Sequence, residues 1–218
     1  MRQTVLVDRR QRLRDARLYF VADRDGMARA LDGALAGGAD LFQLRDKNAT
    51  DDELLAAAAD ARERCHAAGA LFIVNDRPDL AAACGADGVH VGQDDTPVAH
   101  AREIVGPDAI VGLSTHSMQQ AQAGCRSGAD YIAVGPVHAT PTKEGRPAIG
   151  LEPIRYAAAH ASVPWFAIGG IGAQTVRAVV AAGARRIVVV RALTDADDPE
   201  ATARTLRAST NGGRGGGP

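Results

Sequence analysis

The 218-residue chain carries 25 basic and 26 acidic side chains, a formal charge of −1. That length suffices for one well-buried core and leaves little for a second domain, and the near-neutral balance excludes a long-range field that would gather the chain on nucleic acid or an anionic membrane. An anionic ligand must therefore be held by a local site, and no run approaches the roughly 18 apolar residues of a membrane span.

Residues 1–16 hold Arg9, Arg10, Arg12 and Arg14 but lack the continuous apolar core of a signal peptide and are broken by Asp8 and Asp15, so they read as a solvated helical arm. Next, Leu18–Val21 has the length and the β-branched and aromatic content of a buried strand. Gly38-Ala39-Asp40 then begins a repeat that returns as Gly85-Ala86-Asp87 and Gly128-Ala129-Asp130, with Gly183-Ala184-Arg185 as an imperfect fourth copy. Each copy follows an Ala-rich amphipathic segment and precedes a short apolar run, so its Gly reads as a helix C-cap and the next two residues as the turn into a strand. Leu71–Val74, Ala109–Leu113 and Trp165–Ile168 lie between the copies as further buried strands.

Interleaving the two sets gives eight strands, each followed by a helix. The predicted fold is α/β, a single (β/α)8 TIM barrel over residues 17–208 with its site at the strand C-termini, in preference to a flavodoxin-like open sheet that would leave several units over. Residues 209–218 are Gly-rich and read as a disordered tail. Cys65, Cys84 and Cys125 fall on predicted helices without metal-ligand spacing, as expected of reduced cysteines in a cytoplasmic protein.

Polar residues follow the apolar runs where the barrel needs them. After strand two, Gln43, Arg45 and Lys47 alternate onto one side of an extended chain, offering donors to a phosphate, with salt bridges to rim carboxylates as the plainer alternative. Asn75-Asp76 and His90-Val91-Gly92-Gln93-Asp94-Asp95 end strands three and four. Their carboxylates suit Mg²⁺ better than Zn²⁺, and His90 reads as a supporting or packing residue. Ser114-Thr115-His116 ends strand five with no nucleophile elbow and no third member of a triad. After strand six, Thr140, Pro141, Thr142 and Lys143 lie in a Gly- and Pro-punctuated loop composed like an active-site lid, or alternatively a solvated loop. Gly169-Gly170 after strand seven and Val190-Arg191 after strand eight occupy the usual place of a barrel phosphate cradle.

Taken together, Gln43-Leu44-Arg45-Asp46-Lys47, Asn75-Asp76, Gly92-Gln93-Asp94-Asp95, Gly135-Pro136 with Thr140-Pro141-Thr142-Lys143, and Ile168-Gly169-Gly170-Ile171 resemble the motif series of the thiamine-phosphate synthases, in order from about Leu18 to Leu206. The resemblance implies that Gln43, Arg45, Lys47, Asn75, Ser114 and Lys143 hold 4-amino-2-methyl-5-hydroxymethylpyrimidine diphosphate and that Asp76 and Asp95 bind its Mg²⁺. It implies that Thr140, Thr142, Gly170, Val190 and Arg191 surround 4-methyl-5-(2-hydroxyethyl)thiazole phosphate, with Pro141 also binding substrate. Arg45, Lys47, Lys143 and Ser114 would be the catalytic groups, in a dissociative loss of pyrophosphate with no covalent enzyme intermediate. Arg191 departs from the Ser usual in the family, so a backbone N–H or the guanidinium must replace a hydroxyl there. The partners implied are these small molecules, with self-association suggested by fold analogy alone. A thiazole tautomerase, another sugar-phosphate barrel enzyme and a non-catalytic precursor-binding barrel are the competing readings.

Overall fold

The computed structural model describes residues 2–139 and 147–211, with side chains from Arg9 onward. Eight parallel strands, β1 (Leu18–Ala22), β2 (Leu41–Leu44), β3 (Leu71–Asn75), β4 (Gly88–Val91), β5 (Ile110–Thr115), β6 (Tyr131–Val134), β7 (Trp165–Ile168) and β8 (Ile187–Val189), pair in chain order, and β8 returns to β1 through Leu18↔Ile187. The closed barrel removes the open-sheet alternative. The helices are α1 (Arg2–Asp15), α2 (Arg24–Ala36), α3 (Asp51–Ala67), α4 (Pro78–Cys84), α5 (Val98–Val105), α6 (Met118–Gly124), α7 (Glu152–His160), α8 (Val176–Ala181), α9 (Arg191–Thr194) and α10 (Pro199–Ser209). None of them is long and apolar enough to cross a membrane.

The two-residue period of a strand divides the core into two layers. Phe20, Phe42 and Phe72 point outward beneath the helices, in one cluster with Leu31, Ala61 and Cys65. Tyr19, Leu41, Leu71, Ile73, Ile110, Tyr131, Phe166 and Val188 fill the barrel interior. Gly112 makes room for the Tyr131 ring, because a Cβ there would stand 2.1 Å from Tyr131 Cζ.

The four repeat glycines, Gly38, Gly85, Gly128 and Gly183, all adopt positive φ (96°, 66°, 85° and 106°), the left-handed conformation that turns a helix end into the next strand. The aspartates of the repeat close the lower rim. Asp40 Oδ2 accepts from the Leu18 N–H at 3.0 Å, Asp87 Oδ2 from Phe72 N–H at 2.9 Å, and Asp130 Oδ2 from Val111 N–H at 2.8 Å. The turns into β2, β4 and β6 thus each secure the first residues of the preceding strand. Arg185 replaces the Asp in the fourth copy and has no carboxylate with which to make this bond.

The N-terminal helix is not a solvated arm. Leu13, together with Ala16 just beyond the helix, belongs to the interior cluster, while Arg9 Nε donates to Asp87 Oδ1 at 2.7 Å and Arg10 Nε to Asp130 Oδ1 at 2.9 Å. The arginines that resembled a soluble face are instead matched to the repeat carboxylates, and α1 plugs the lower mouth. The tail expectation also shifts: Ser209 closes α10 and Thr210 is buried, its hydroxyl donating to Arg207 O at 2.7 Å, whereas residues 212–218 lie outside the described residues.

Candidate active site

At the opposite mouth the strand C-termini open into a cleft of about 1010 Å³. Gln43, Arg45, Lys47, Asn75, Asp76, Asp95, Ser114, Gly170, Val190 and Arg191, all selected from sequence, line it. Thr140, Pro141, Thr142 and Lys143 lie outside the described residues.

One corner of the cleft is acidic. Asp76 follows β3 with φ of 59°, unusual for a residue other than glycine, and its N–H is held by His90 O at 2.8 Å. Asp95 comes from the turn after β4, where its Oδ2 accepts from the Gly92 N–H at 2.8 Å. The Asp95 carboxyl faces Asp76 closely enough to act on its ionisation. Burial, and then the Asp95 carboxyl, push the Asp76 pKa above the usual carboxylate range, with Lys47 Nζ at 3.6 Å working in the other direction. Two carboxylates pressed together in this way share a proton or a cation. No cluster of three metal-ligating side chains occurs among the described residues. A paired carboxylate site fits Mg²⁺, which takes one or two carboxylates and fills its shell with water and substrate oxygens, better than it fits Zn²⁺.

The basic side chains lie nearby. Asp46 on the rim is occupied by Arg24, whose Nε stands 2.9 Å from it. Arg45 and Arg191 line the cleft without an ion pair to any carboxylate among the described residues, so the salt-bridge alternative for Arg45 is not what the structure contains. Arg191 is the first residue of α9 and is exposed, with Val190 as the N-cap. Gly169 (φ 105°) lets the turn after β7 lie against the β6 loop, since a Cβ there would sit 2.4 Å from Pro136 Cα.

Beneath the cleft runs a buried polar chain that no sequence motif announced. Gln43 Nε2 donates to Tyr19 OH; Tyr19 OH meets Tyr131 OH at 2.9 Å; Tyr131 OH meets His90 Nδ1 at 3.0 Å; and His90 Nε2 meets Ser114 Oγ at 2.9 Å. Gln43, which lines the cleft with Arg45 and Lys47, thus has its amide engaged in the floor. A serine–histidine contact does exist, but it joins Ser114 to His90, while His116 Nδ1 is engaged with Gly135 O. The far nitrogen of His90 meets a phenol instead of a carboxylate, so the contact is not a nucleophile triad. The only sequence signal for the chain was the inward register of tyrosines at the same level of β1 and β6.

A closed (β/α)8 barrel with charged and polar side chains gathered at its strand C-termini has the architecture of a TIM-barrel enzyme. Residues 18–193 match the family model described as thiamine monophosphate synthase. The thiamine-phosphate synthase of Thermobifida fusca is 52% identical over 204 residues, covering 91% of this chain and 94% of that protein. The thiamine-phosphate synthase of Nostoc sp. is 48% identical over 93% of this chain, which spans 58% of that relative's length. Among solved structures, thiamine phosphate pyrophosphorylase from Pyrococcus furiosus superposes with a TM-score of 0.85 at 34% identity, covering 93% of this chain and 99% of its own. The chain belongs to the thiamine monophosphate synthase family, a family of transferases in thiamine biosynthesis.

Proposed function

We propose that this barrel joins 4-amino-2-methyl-5-hydroxymethylpyrimidine diphosphate to 4-methyl-5-(2-hydroxyethyl)thiazole phosphate, giving thiamine phosphate and pyrophosphate. The observation that carries the reading is the Asp76–Asp95 pair beside Lys47 in a cleft that also presents Arg45. An acidic pair set among cations suits a diphosphate that arrives with a divalent metal, and a tautomerase would have no need of it.

In this reading the bond between the pyrimidine methylene carbon and the diphosphate oxygen breaks first, the electron pair leaving with the diphosphate. The thiazole nitrogen then supplies its lone pair to the carbon. Mg²⁺, held by Asp76 and Asp95, would offset charge on the departing diphosphate. Arg45 and Lys47 donate to its oxygens, and Lys143 joins them from the loop after β6. Asn75 and Ser114 orient the pyrimidine, and the turn of Gly170 with Val190, Arg191, Thr140, Pro141 and Thr142 receives the thiazole phosphate. Arg191 supplies a guanidinium fork where a hydroxyl would otherwise serve. No enzyme nucleophile is required, in keeping with the tyrosine partner of His90. The near-neutral charge and the unpaired Cys65, Cys84 and Cys125 support a cytoplasmic enzyme acting on small molecules.

The reading is tested by supplying both substrates and following thiamine phosphate and pyrophosphate with and without Mg²⁺. Equal yields of the two products, dependent on the metal, are expected. Folded protein that yields neither with Mg²⁺ present would overturn it.

A further inference from the structure

The buried chain below the cleft has a direction, and the direction decides what Ser114 can do. Every link holds one proton, so fixing the donor at one end fixes all the others. Gln43 Nε2 is a donor only and points at Tyr19 OH, which must accept. Tyr19 then passes its own proton to the Tyr131 oxygen at 2.9 Å, and Tyr131 passes its proton to His90 Nδ1 at 3.0 Å. Both phenols are fully buried, and burial raises their pKa values, so these protons stay in place. With Nδ1 accepting, the ring proton resides on Nε2 and is directed to Ser114 Oγ at 2.9 Å. The Ser114 hydroxyl proton is left for the cleft.

We infer that His90 is a positioning residue, held as the neutral Nε2–H tautomer, and that it makes Ser114 a hydrogen-bond donor to a lone-pair atom of the ligand. The reverse polarity would follow if the Gln43 amide presented its oxygen to Tyr19: His90 would carry its proton on Nδ1, and Ser114 would donate downward and only accept from the cleft. Identification of the ligand as the pyrimidine substrate rests on the proposed function, whereas the polarity of the chain does not.

The test is side-chain ¹⁵N NMR of the ligand-free protein with labelled histidine, His90 being assigned by the signal lost in His90→Gln. A protonated Nε2 and a bare Nδ1 are expected. An Nδ1–H ring or an imidazolium at neutral pH would overturn the inference. Gln43→Glu puts an acceptor at the head of the chain and should move the proton to Nδ1; an unchanged His90 spectrum in that folded variant would also overturn it. Tyr131→Phe should remove the single tautomer and lower kcat/KM for the pyrimidine diphosphate about tenfold, near the upper end for one lost hydrogen bond, while the KM for the thiazole phosphate stays within about twofold. Equal losses for both substrates would assign the chain a structural role only. The wild-type spectrum needs no substrate to react, so its outcome is separate from that of the product assay.

Discussion

At the lower rim Asp40, Asp87 and Asp130 meet backbone N–H groups and arginines, whereas at the upper rim Asp76 meets the Asp95 carboxyl and Lys47. Asp87 shows the difference most clearly. It accepts from Phe72 N–H, Arg9 and His66, and its side chain is 3% exposed. Asp76 is also partly buried, but burial and its neighbouring carboxyl both oppose its charge. The same side chain therefore stabilises one end of the barrel and strains the other, and strain of this kind collects where a ligand is to relieve it.

Removing the matched carboxylate should have the largest effect. Asp87→Ala leaves the Arg9 guanidinium, His66 and the Phe72 N–H short of a partner, and should cost roughly 3 kcal/mol, the low end for breaking a buried pair because Arg9 and His66 reach water. Urea denaturation measures the cost, and turnover per folded molecule should stay within about twofold. Arg45→Ala is the converse: without an ion pair among the described residues, it should leave stability within about 0.5 kcal/mol yet lower turnover at least about tenfold. A loss of stability matching that of Asp87→Ala would erase the contrast between the two ends.

The pH dependence sharpens the comparison with a smaller effect. The pKa of Asp76 in the folded protein lies above its ordinary value of 3.8, so the folded state binds the proton more tightly than the unfolded chain. The stability cost of ionising Asp76 is absent below that ordinary value and grows as pH rises through the folded-state value. Asp76→Asn should accordingly raise the urea midpoint at neutral pH relative to wild type, and the gain should fade on acidification towards 3.8. A lower midpoint for Asp76→Asn at neutral pH would show that the charge is matched after all.

The barrel was legible because its signals are local: four glycine turns, short β-branched runs and polar residues immediately after them each act within a few positions of the chain. The cleft-lining residues on the strand ends followed from that register. Features that depend on distant pairing did not. Tyr19 and Tyr131 lie 112 positions apart, and their contact exists only once β1 and β6 face each other across the closed barrel. The α1 plug was hidden for the same reason, since Arg9 finds Asp87 at a separation of 78 residues and the helix alone has little apolar stripe. Gln43 alternates with Arg45 and Lys47 as expected, but strand periodicity gives a side, not a partner, and the buried phenol of Tyr19 claims its amide.

The most direct test of the divided barrel is thiamine phosphate formation by Asp76→Asn at saturating Mg²⁺, per folded molecule as counted by the urea transition of the same preparation. Turnover at least about tenfold below wild type, in a protein whose urea midpoint is no lower than wild type, is the predicted result. Full turnover in the folded variant would contradict it, placing the metal and the charge of the reaction somewhere other than the Asp76–Asp95 pair.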